Sequence, residues 1–261
     1  MNFAIIGGTG VTDDSLFENL QIVTVNTPFG EIEILSAKKG EHKLYFLERH
    51  SKGHTLTPSQ VNYKGNIYAL KMLGVDYVIA TTAVGGIQNC KVGDFVILDQ
   101  FIDFTKNRDS TYFSEKGNGV VHIDMSEPYC SKLRNALEKS MMRCGINFVS
   151  KGTYVCMEGP RFETPAEINM LKIIGGDVVG MTNVPEVVLA REMGLCYATI
   201  SLVTNYAAGI SKGALTHKEV LENMEAMAGA LKILLLDLID NGEFDVECHC
   251  KDSLAELNIL K

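Results

Sequence analysis

VCMEGPRFETPAEINMLKIIGGDVVGMTNVPEVVLAREMGLCYATISLVTNYAA, residues Val155 to Ala208, alternates three apolar, strand-like segments with two helices whose ends are marked locally. Thr164-Pro165-Ala166-Glu167 combines an N-cap Thr, a Pro at the first helical position and a Glu that completes a capping box. Gly175-Gly176 stops that helix, Pro185-Glu186 opens the next and Gly194 closes it. Such alternation predicts an α/β sheet, and open α/β sheets place ligand sites at the carboxyl ends of their strands. The three strand ends here carry Arg161-Phe162-Glu163, Met181-Thr182 and Thr204-Asn205, polar groups that can surround one small molecule. Glu163 has a second reading, as one more acid favouring the helix N-terminus.

The 261 residues suffice for one large α/β domain, 1–261, in which 242–261 form a carboxyl-terminal tail. Apolar residues make up 46% and charged residues 21%, the balance of a soluble enzyme. No apolar run reaches the roughly 18 residues that span a bilayer. The start, MNFAIIGGTG, lacks a basic region and enters a strand at once, so the expected location is the cytoplasm. A net charge of −8 argues against nucleic acid. It leaves a phosphate-bearing small substrate open, because a few local donors outweigh the global sign. Five of the seven cysteines sit in apolar contexts and read as buried free thiols. Cys248-His249-Cys250 gathers three potential ligands, but no second cluster in the sequence completes a tetrahedral zinc site. The segment therefore reads as an exposed tail without metal, a Cys-x-Cys disulfide being the lesser alternative.

From the amino end, Phe3 to Ile6 is a short strand followed by Gly7-Gly8-Thr9-Gly10. These glycines let the backbone approach a ligand and form an anion nest, although a tight turn explains them nearly as well. Ile22 to Val25, Glu31 to Ala37 and Lys43 to Glu48 read as strands. Arg49-His50-Ser51-Lys52-Gly53-His54 then places four basic side chains at a strand end, suited to an anion or to a solvated loop. Pro58-Ser59 opens a helix that runs to Gly74, and the strand Tyr77 to Thr82 ends in Thr81-Thr82-Ala83-Val84-Gly85-Gly86. Phe95 to Leu98 is a strand, Asp103 to Tyr112 a polar surface loop, and Ser131 to Cys144 a helix. Thr216-His217-Lys218-Glu219 is a second capping box, opening a helix that turns Val220, Met224, Met227, Leu231, Leu234, Leu235 and Leu238 inward and ends before Gly242.

Taken together, Gly7-Gly8-Thr9-Gly10, Arg49-His50, Val61-Asn62-Tyr63, Thr82-Ala83-Val84-Gly85-Gly86, Glu158-Gly159-Pro160-Arg161 and Met181-Thr182-Asn183-Val184-Pro185-Glu186 have a specific order and spacing. From Ile5 to about Leu238 the chain resembles the trimeric purine nucleoside phosphorylase and methylthioadenosine phosphorylase family. The resemblance implies a nucleoside phosphorylase fold: one α/β domain on a mixed, barrel-like twisted sheet flanked by helices. It also implies a homotrimer or a dimer of trimers, and reversible phosphorolysis of a purine N-glycosidic bond. Inorganic phosphate is then the co-substrate, with no cofactor and no metal. By the same resemblance Gly8, Thr9, Arg49, His50, Thr82, Ala83 and Thr182 form the phosphate site. Phe162 stacks near the purine, Met181 lines the ribose, and Thr204 and Ala207 belong to the substrate pocket. His217 stands about where inosine-type members bind the 5′-hydroxyl, although the loop before it is shorter here. His122, whose place periodicity does not decide, lies in a segment that by resemblance reaches into a neighbouring subunit's site.

Cleavage of a nucleoside generates an oxocarbenium-like sugar and a purine anion, so phosphate must be held beneath the sugar and charge stabilised on the base. A 6-oxopurine offers a donor at N1–H and an acceptor at O6. A carboxylate at Glu163 accepts from N1–H; a carboxamide at Asn205 donates to O6 and accepts from a protonated N7. Adenine-type members of the family carry Asp where Asn205 stands and lack the Glu. The expected catalytic set is Asn205, Glu163, Arg49 and His50, and the expected substrates are inosine, guanosine and S-methyl-5′-thioinosine. The alternatives are an S-methyl-5′-thioadenosine phosphorylase and a non-catalytic purine nucleoside-binding protein. A nicotinamide dehydrogenase is disfavoured by the missing third glycine and by the lack of an acid ending the second strand.

Overall fold

The computed structural model describes residues 1–7, 18–51, 53, 55–114, 121–211, 217–244 and 247–253. Eleven strands form one sheet: β1 (Asn2–Gly7), β2 (Glu18–Thr27), β3 (Gly30–Lys39), β4 (His42–Glu48), β5 (Tyr77–Gly86), β6 (Phe95–Ile97), β7 (Gln100–Asp103), β8 (Phe148–Val149), β9 (Thr153–Cys156), β10 (Val178–Gly180) and β11 (Cys196–Tyr206). Five α-helices accompany them: α1 (Tyr63–Met72), α2 (Ser131–Arg143), α3 (Pro165–Ile173), α4 (Asn183–Glu192) and α5 (His217–Asn241).

The sheet is mixed. β1 runs parallel to β4 and β5, β11 parallel to β5, and β10 antiparallel to β5 but parallel to β9. β6 pairs with β11 and β7 with β9, and only two residues separate β6 from β7. That bent segment joins the two flanks of β5, so β5, β11, β6–β7, β9 and β10 form a ring. The barrel-like, mixed α/β architecture implied by the resemblance is present.

β5 is longer than the apolar run Tyr77 to Thr82 suggests. It continues through Gly86 because β11 pairs along its whole length, and β10 pairs with Gly85 and Gly86. Its glycines are strand residues. A Cβ on Gly85 would lie 3.3 Å from Asn205 Nδ2 and 3.2 Å from Val179 Cγ1, so the missing side chain lets three strands converge.

Apolar helix faces close the core. α1 and α4 bring Ile67, Leu70, Val187 and Leu189 to one side of the sheet; α2 and α5 bring Leu133, Leu137, Leu231, Leu234 and Leu238 to the other. The helix expected from Pro58 is interrupted. Pro58–Gln60 is a single 3₁₀ turn, Val61 is extended, and α1 starts where the Asn62 side chain accepts from Gly65 N at 2.9 Å. The segment Asp103 to Tyr112 is a surface loop beyond the last residue of β7, with Lys106, Asn107, Asp109 and Ser110 exposed, but the side chain of Arg108 turns inward and is buried beneath the β10–α4 connection. For α5, the expected inward positions from Met227 to Leu238 are buried, while Thr216 and the Glu219 side chain lie outside the described residues.

The α3 start is built as its sequence dictates. Thr164 Oγ1 accepts from Glu167 N at 3.2 Å, and Glu167 Oε2 accepts from Thr164 N at 2.7 Å. Thr164→Ala should lower stability by about 1 kcal/mol. The measurement is the urea midpoint at unchanged slope; an unchanged midpoint would show that the cap contributes nothing.

Candidate active site

The parallel strands β1, β4, β5 and β11 end on the same side of the sheet; Arg49 and His50 follow β4 there, and Thr82, Thr204 and Asn205 lie in the carboxyl-terminal halves of β5 and β11. One position in β5 marks the opening. Every other residue of this strand is buried, yet Ala83 is exposed in its middle. A central strand paired on both sides shows solvent only where something above it has been left empty, so Ala83 reads as the floor of a cleft. Phe162, 41% exposed, stands free as an aromatic face.

Arg49 follows β4 directly. Its backbone N–H donates to Gly7 O at 3.1 Å, fixing it beside the end of β1. The side chain is 3% exposed. Nε and Nη2 donate to Glu186 Oε2 and Oε1 at 2.7 and 2.8 Å, and Nη1 donates to Thr81 O at 2.9 Å. The solvated-loop reading of Arg49 is therefore overturned. Burial works to lower its pKa, but the bidentate carboxylate outweighs that and raises it, so the guanidinium stays charged. Three of its five N–H groups are taken by these bonds, and two carry no hydrogen bond among the described residues.

Glu186 is itself held by Tyr197 Oη, which donates to Oε1 at 2.7 Å. Asn183 Nδ2 donates to Thr199 Oγ1 at 2.8 Å and to Tyr197 Oη at 3.3 Å, while its Oδ1 accepts from Tyr129 Oη. This network runs under the site and fixes the start of α4, and with it Thr182. Arg108 secures the same connection from the other side: Nη1 donates to Met181 O and Val184 O at 2.7 Å each, and Nη2 to Glu158 O at 2.8 Å. Glu186 was legible only as a helix-opening acid, and nothing in the sequence marks Arg108.

The remaining expected phosphate residues are accounted for as follows. Thr82 is buried, its hydroxyl 2.9 Å from Ser201 Oγ. Thr182 is buried and its N–H donates to Tyr154 Oη at 3.2 Å. His50 Nδ1 donates to Leu56 O at 2.9 Å. Gly8 and Thr9 lie outside the described residues, as does the side chain of His217.

On the base side, β11 carries a register shift: Val203 pairs with Val84 and Asn205 with Gly85, leaving Thr204 as the extra residue of a bulge. Thr204 and Asn205 are inside the strand, not beyond it. Thr204 Oγ1 donates to Asn205 Oδ1 at 2.9 Å, and Asn205 Nδ2 donates to Tyr206 O at 3.0 Å. A carboxamide has two N–H donors and two acceptor lone pairs. Asn205 is thus oriented by its neighbours and, among the described residues, retains one N–H and one lone pair.

Glu163 is 9% exposed, and burial raises its pKa above the ordinary carboxylate value. The capping alternative belongs to Glu167, which also takes both Arg161 Nη groups at 2.8 and 2.7 Å. Arg161 faces solvent and is occupied there. Glu163 and Asn205 belong to segments that meet. A Cβ on Gly209 would fall 2.7 Å from Pro165 Cβ, and Ala207 packs in one cluster with Ile168 of α3. Met181 borders the same region, its Sδ 2.6 Å from where a Gly159 Cβ would be. His122 is exposed on a separate surface segment.

Removing half of the Arg49–Glu186 pair leaves a buried charge without its partner. Glu186→Gln should destabilise the fold by about 3–5 kcal/mol. A double-mutant cycle with Arg49→Met should show favourable coupling, read from chemical denaturation. Additive effects of the two substitutions would separate the residues energetically.

With this geometry in view, the relatives are informative. The profile of the Phosphorylase superfamily matches residues 2–240. A probable 6-oxopurine nucleoside phosphorylase of Dictyoglomus turgidum is 52% identical over 257 residues, covering 98% of this chain and 97% of that protein. A probable S-methyl-5′-thioinosine phosphorylase of Methanothermobacter thermautotrophicus is 47% identical over 262 residues, covering 98% and 89%. Among solved structures, a methylthioadenosine phosphorylase from Schistosoma mansoni in complex with adenine superposes with a TM-score of 0.87 at 35% identity, covering 94% of each chain. Matched along nearly its whole length in sequence and in fold, the chain belongs to the phosphorylase superfamily.

Proposed function

We propose that this protein catalyses the reversible phosphorolysis of 6-oxopurine nucleosides, releasing hypoxanthine or guanine and a ribose 1-phosphate. The observation that supports the reading is the pair Glu163 and Asn205 on adjoining segments: an acceptor-only carboxylate and a carboxamide with one donor and one acceptor unused among the described residues. Glu163 accepts from N1–H. Asn205 donates to O6 and accepts from N7–H as the base departs.

Phosphate sits at the strand ends near Ala83, facing the two remaining Arg49 N–H groups, with Thr82, Thr182 and His50 around it; Gly8 and Thr9, assigned to this site by the resemblance, lie outside the described residues. A phosphate oxygen forms the bond to C1′ while the C1′–N9 bond breaks, and the electron pair passes to the purine, which takes up a proton at N7. Alignment of the two reactants contributes about 7–11 kcal/mol towards the barrier. No cofactor is required. In this reading Phe162 stacks on the base, Met181 borders the ribose, and Thr204 and Ala207 complete the pocket. A neighbouring subunit's His122 approaches the 5′ end in a homotrimer working in the cytoplasm, while His217, assigned to the same end by the resemblance, has its side chain outside the described residues.

The 47% identity to a probable S-methyl-5′-thioinosine phosphorylase keeps a 5′-methylthio nucleoside beside inosine and guanosine. Inosine, guanosine, adenosine, methylthioinosine and methylthioadenosine, each with and without phosphate, separate the readings. Phosphate-dependent release of hypoxanthine or guanine is expected. Failure to cleave any 6-oxo nucleoside would overturn the proposal, and purine binding indifferent to phosphate would favour a non-catalytic binding protein. Asn205→Asp should move the preference towards the 6-amino base by about 10–100-fold in kcat/KM, the equivalent of one charge-assisted hydrogen bond.

Glu163 gives the reaction a pH signature. Burial raises its folded-state pKa, so the folded protein holds this proton more tightly than the unfolded chain. Its stabilising contribution is present below the ordinary carboxylate value and is lost as pH rises through the folded one. The ionised acceptor exists only above that raised pKa. The kcat/KM for inosine should therefore fall along a one-proton limb on acidification, at a pH above the ordinary glutamate value, and Glu163→Gln should abolish the limb. A limb that survives the substitution would assign it to another group.

A further inference from the structure

We propose that Cys130, Cys196, Cys248 and Cys250 form a tetrathiolate site for a zinc-class ion, which fastens the carboxyl-terminal segment to the amino-end pole of the sheet. The sequence offers Cys248-His249-Cys250 with no companion cluster; the fold supplies one from two remote positions. Cys130 is the residue before α2, fixed by its backbone N–H donating to Tyr197 O at 2.8 Å. Cys196 opens β11. The four Sγ atoms all lie within 4.8 Å of one another, and Cys196 Sγ is 3.5 Å from Cys248 Sγ. In a regular zinc tetrahedron with Zn–S of about 2.3 Å, the sulfurs stand about 3.8 Å apart, so the set is already near ligating distance.

The exposed-tail reading fails for this segment. Cys250 is 3% exposed. Ser253 Oγ donates to Arg191 O at 2.9 Å, and a Cβ on Gly194 would stand 3.0 Å from Cys250 O, so the tail backbone lies directly on the α4–β11 turn. Phe244 stacks on Tyr77 at 4.4 Å between ring centroids, anchoring the approach. His249 is exposed beside Asp252, outside the sulfur cluster, and is not a ligand.

The site has access. Ligation replaces four S–H protons and leaves a complex of net charge −2 around a divalent ion. An adjoining cavity of about 400 Å³, lined by Cys196 and Cys248 with Lys132 and Lys251 and with Asp76, Glu247 and Asp252, gives the ion an entry path. The location is structural. Cys196 and Asn205 are at opposite ends of β11, nine residues and about 30 Å apart.

The test uses the full chain, purified under reducing conditions without chelator from zinc-supplemented cells, and involves no substrate, so its outcome is independent of the proposed reaction. Elemental analysis should find about one zinc per chain. A mercurial thiol reagent should release it in step with modification of the cysteines. The double substitution Cys248→Ser with Cys250→Ser should lower bound zinc at least tenfold and lower the melting temperature. To separate metal binding from folding of that variant, chelator-stripped wild-type protein is also titrated with cobalt(II), which should give the intense visible bands of a tetrahedral tetrathiolate. Reduced protein that carries no zinc and takes up no cobalt would overturn the site. So would native protein whose four cysteines are paired as disulfides.

Discussion

Arg49 and Glu186 form an ion pair buried beneath the site, and the arrangement of the catalytic end depends on it. Two charges in the interior are tolerable only when geometry is close to ideal and every remaining lone pair is satisfied. Here the guanidinium meets the carboxylate in a fork, Thr81 O takes a further N–H, and Tyr197 supplies the carboxylate with a hydroxyl. The consequence is mechanical. The turn after β4, the middle of β5, the start of α4 and the start of β11 become one unit. Thr182 and Ala83, near which an anion would sit, are positioned by groups that need not touch it.

Much of the fold was legible because punctuation is local. The Thr164–Glu167 box, the glycines after α3 and α4, and the run of α2 all depend on residues within a few positions of each other, and the structure places them as the sequence says. Where the reading went astray, the cause was tertiary. Thr81 to Gly86 looks like a strand running into a loop because its glycines lower β-propensity. Pairing on both sides overrides that preference. Asp103 to Tyr112 is surface, as its polarity says, yet Arg108 is drawn inward by backbone carbonyls that no local pattern announces.

The site was legible in its chemistry and not in its support. Glu163 and Asn205 could be picked out as a complementary pair before any geometry was known, since their functional groups match the edge of one class of base. Glu186, Arg108 and Asn183 could not, because a residue that holds another in place contributes no recognisable motif of its own. Cys130 and Cys196 belong to the same category. Separated by 66 positions, they resemble ordinary buried thiols until the α2 cap and the first residue of β11 are seen side by side.

The bulge at Thr204 and the bare Cα of Gly85 act as a single fitting. The spare residue shifts the frame of β11 by one, and the absent side chain opposite gives room for whatever occupies position 205. Backbone alone thus decides where that side chain projects, and its chemical identity is left free. Under the proposed function, a socket of this kind lets one codon retune which purine is accepted while the scaffold around it stays untouched.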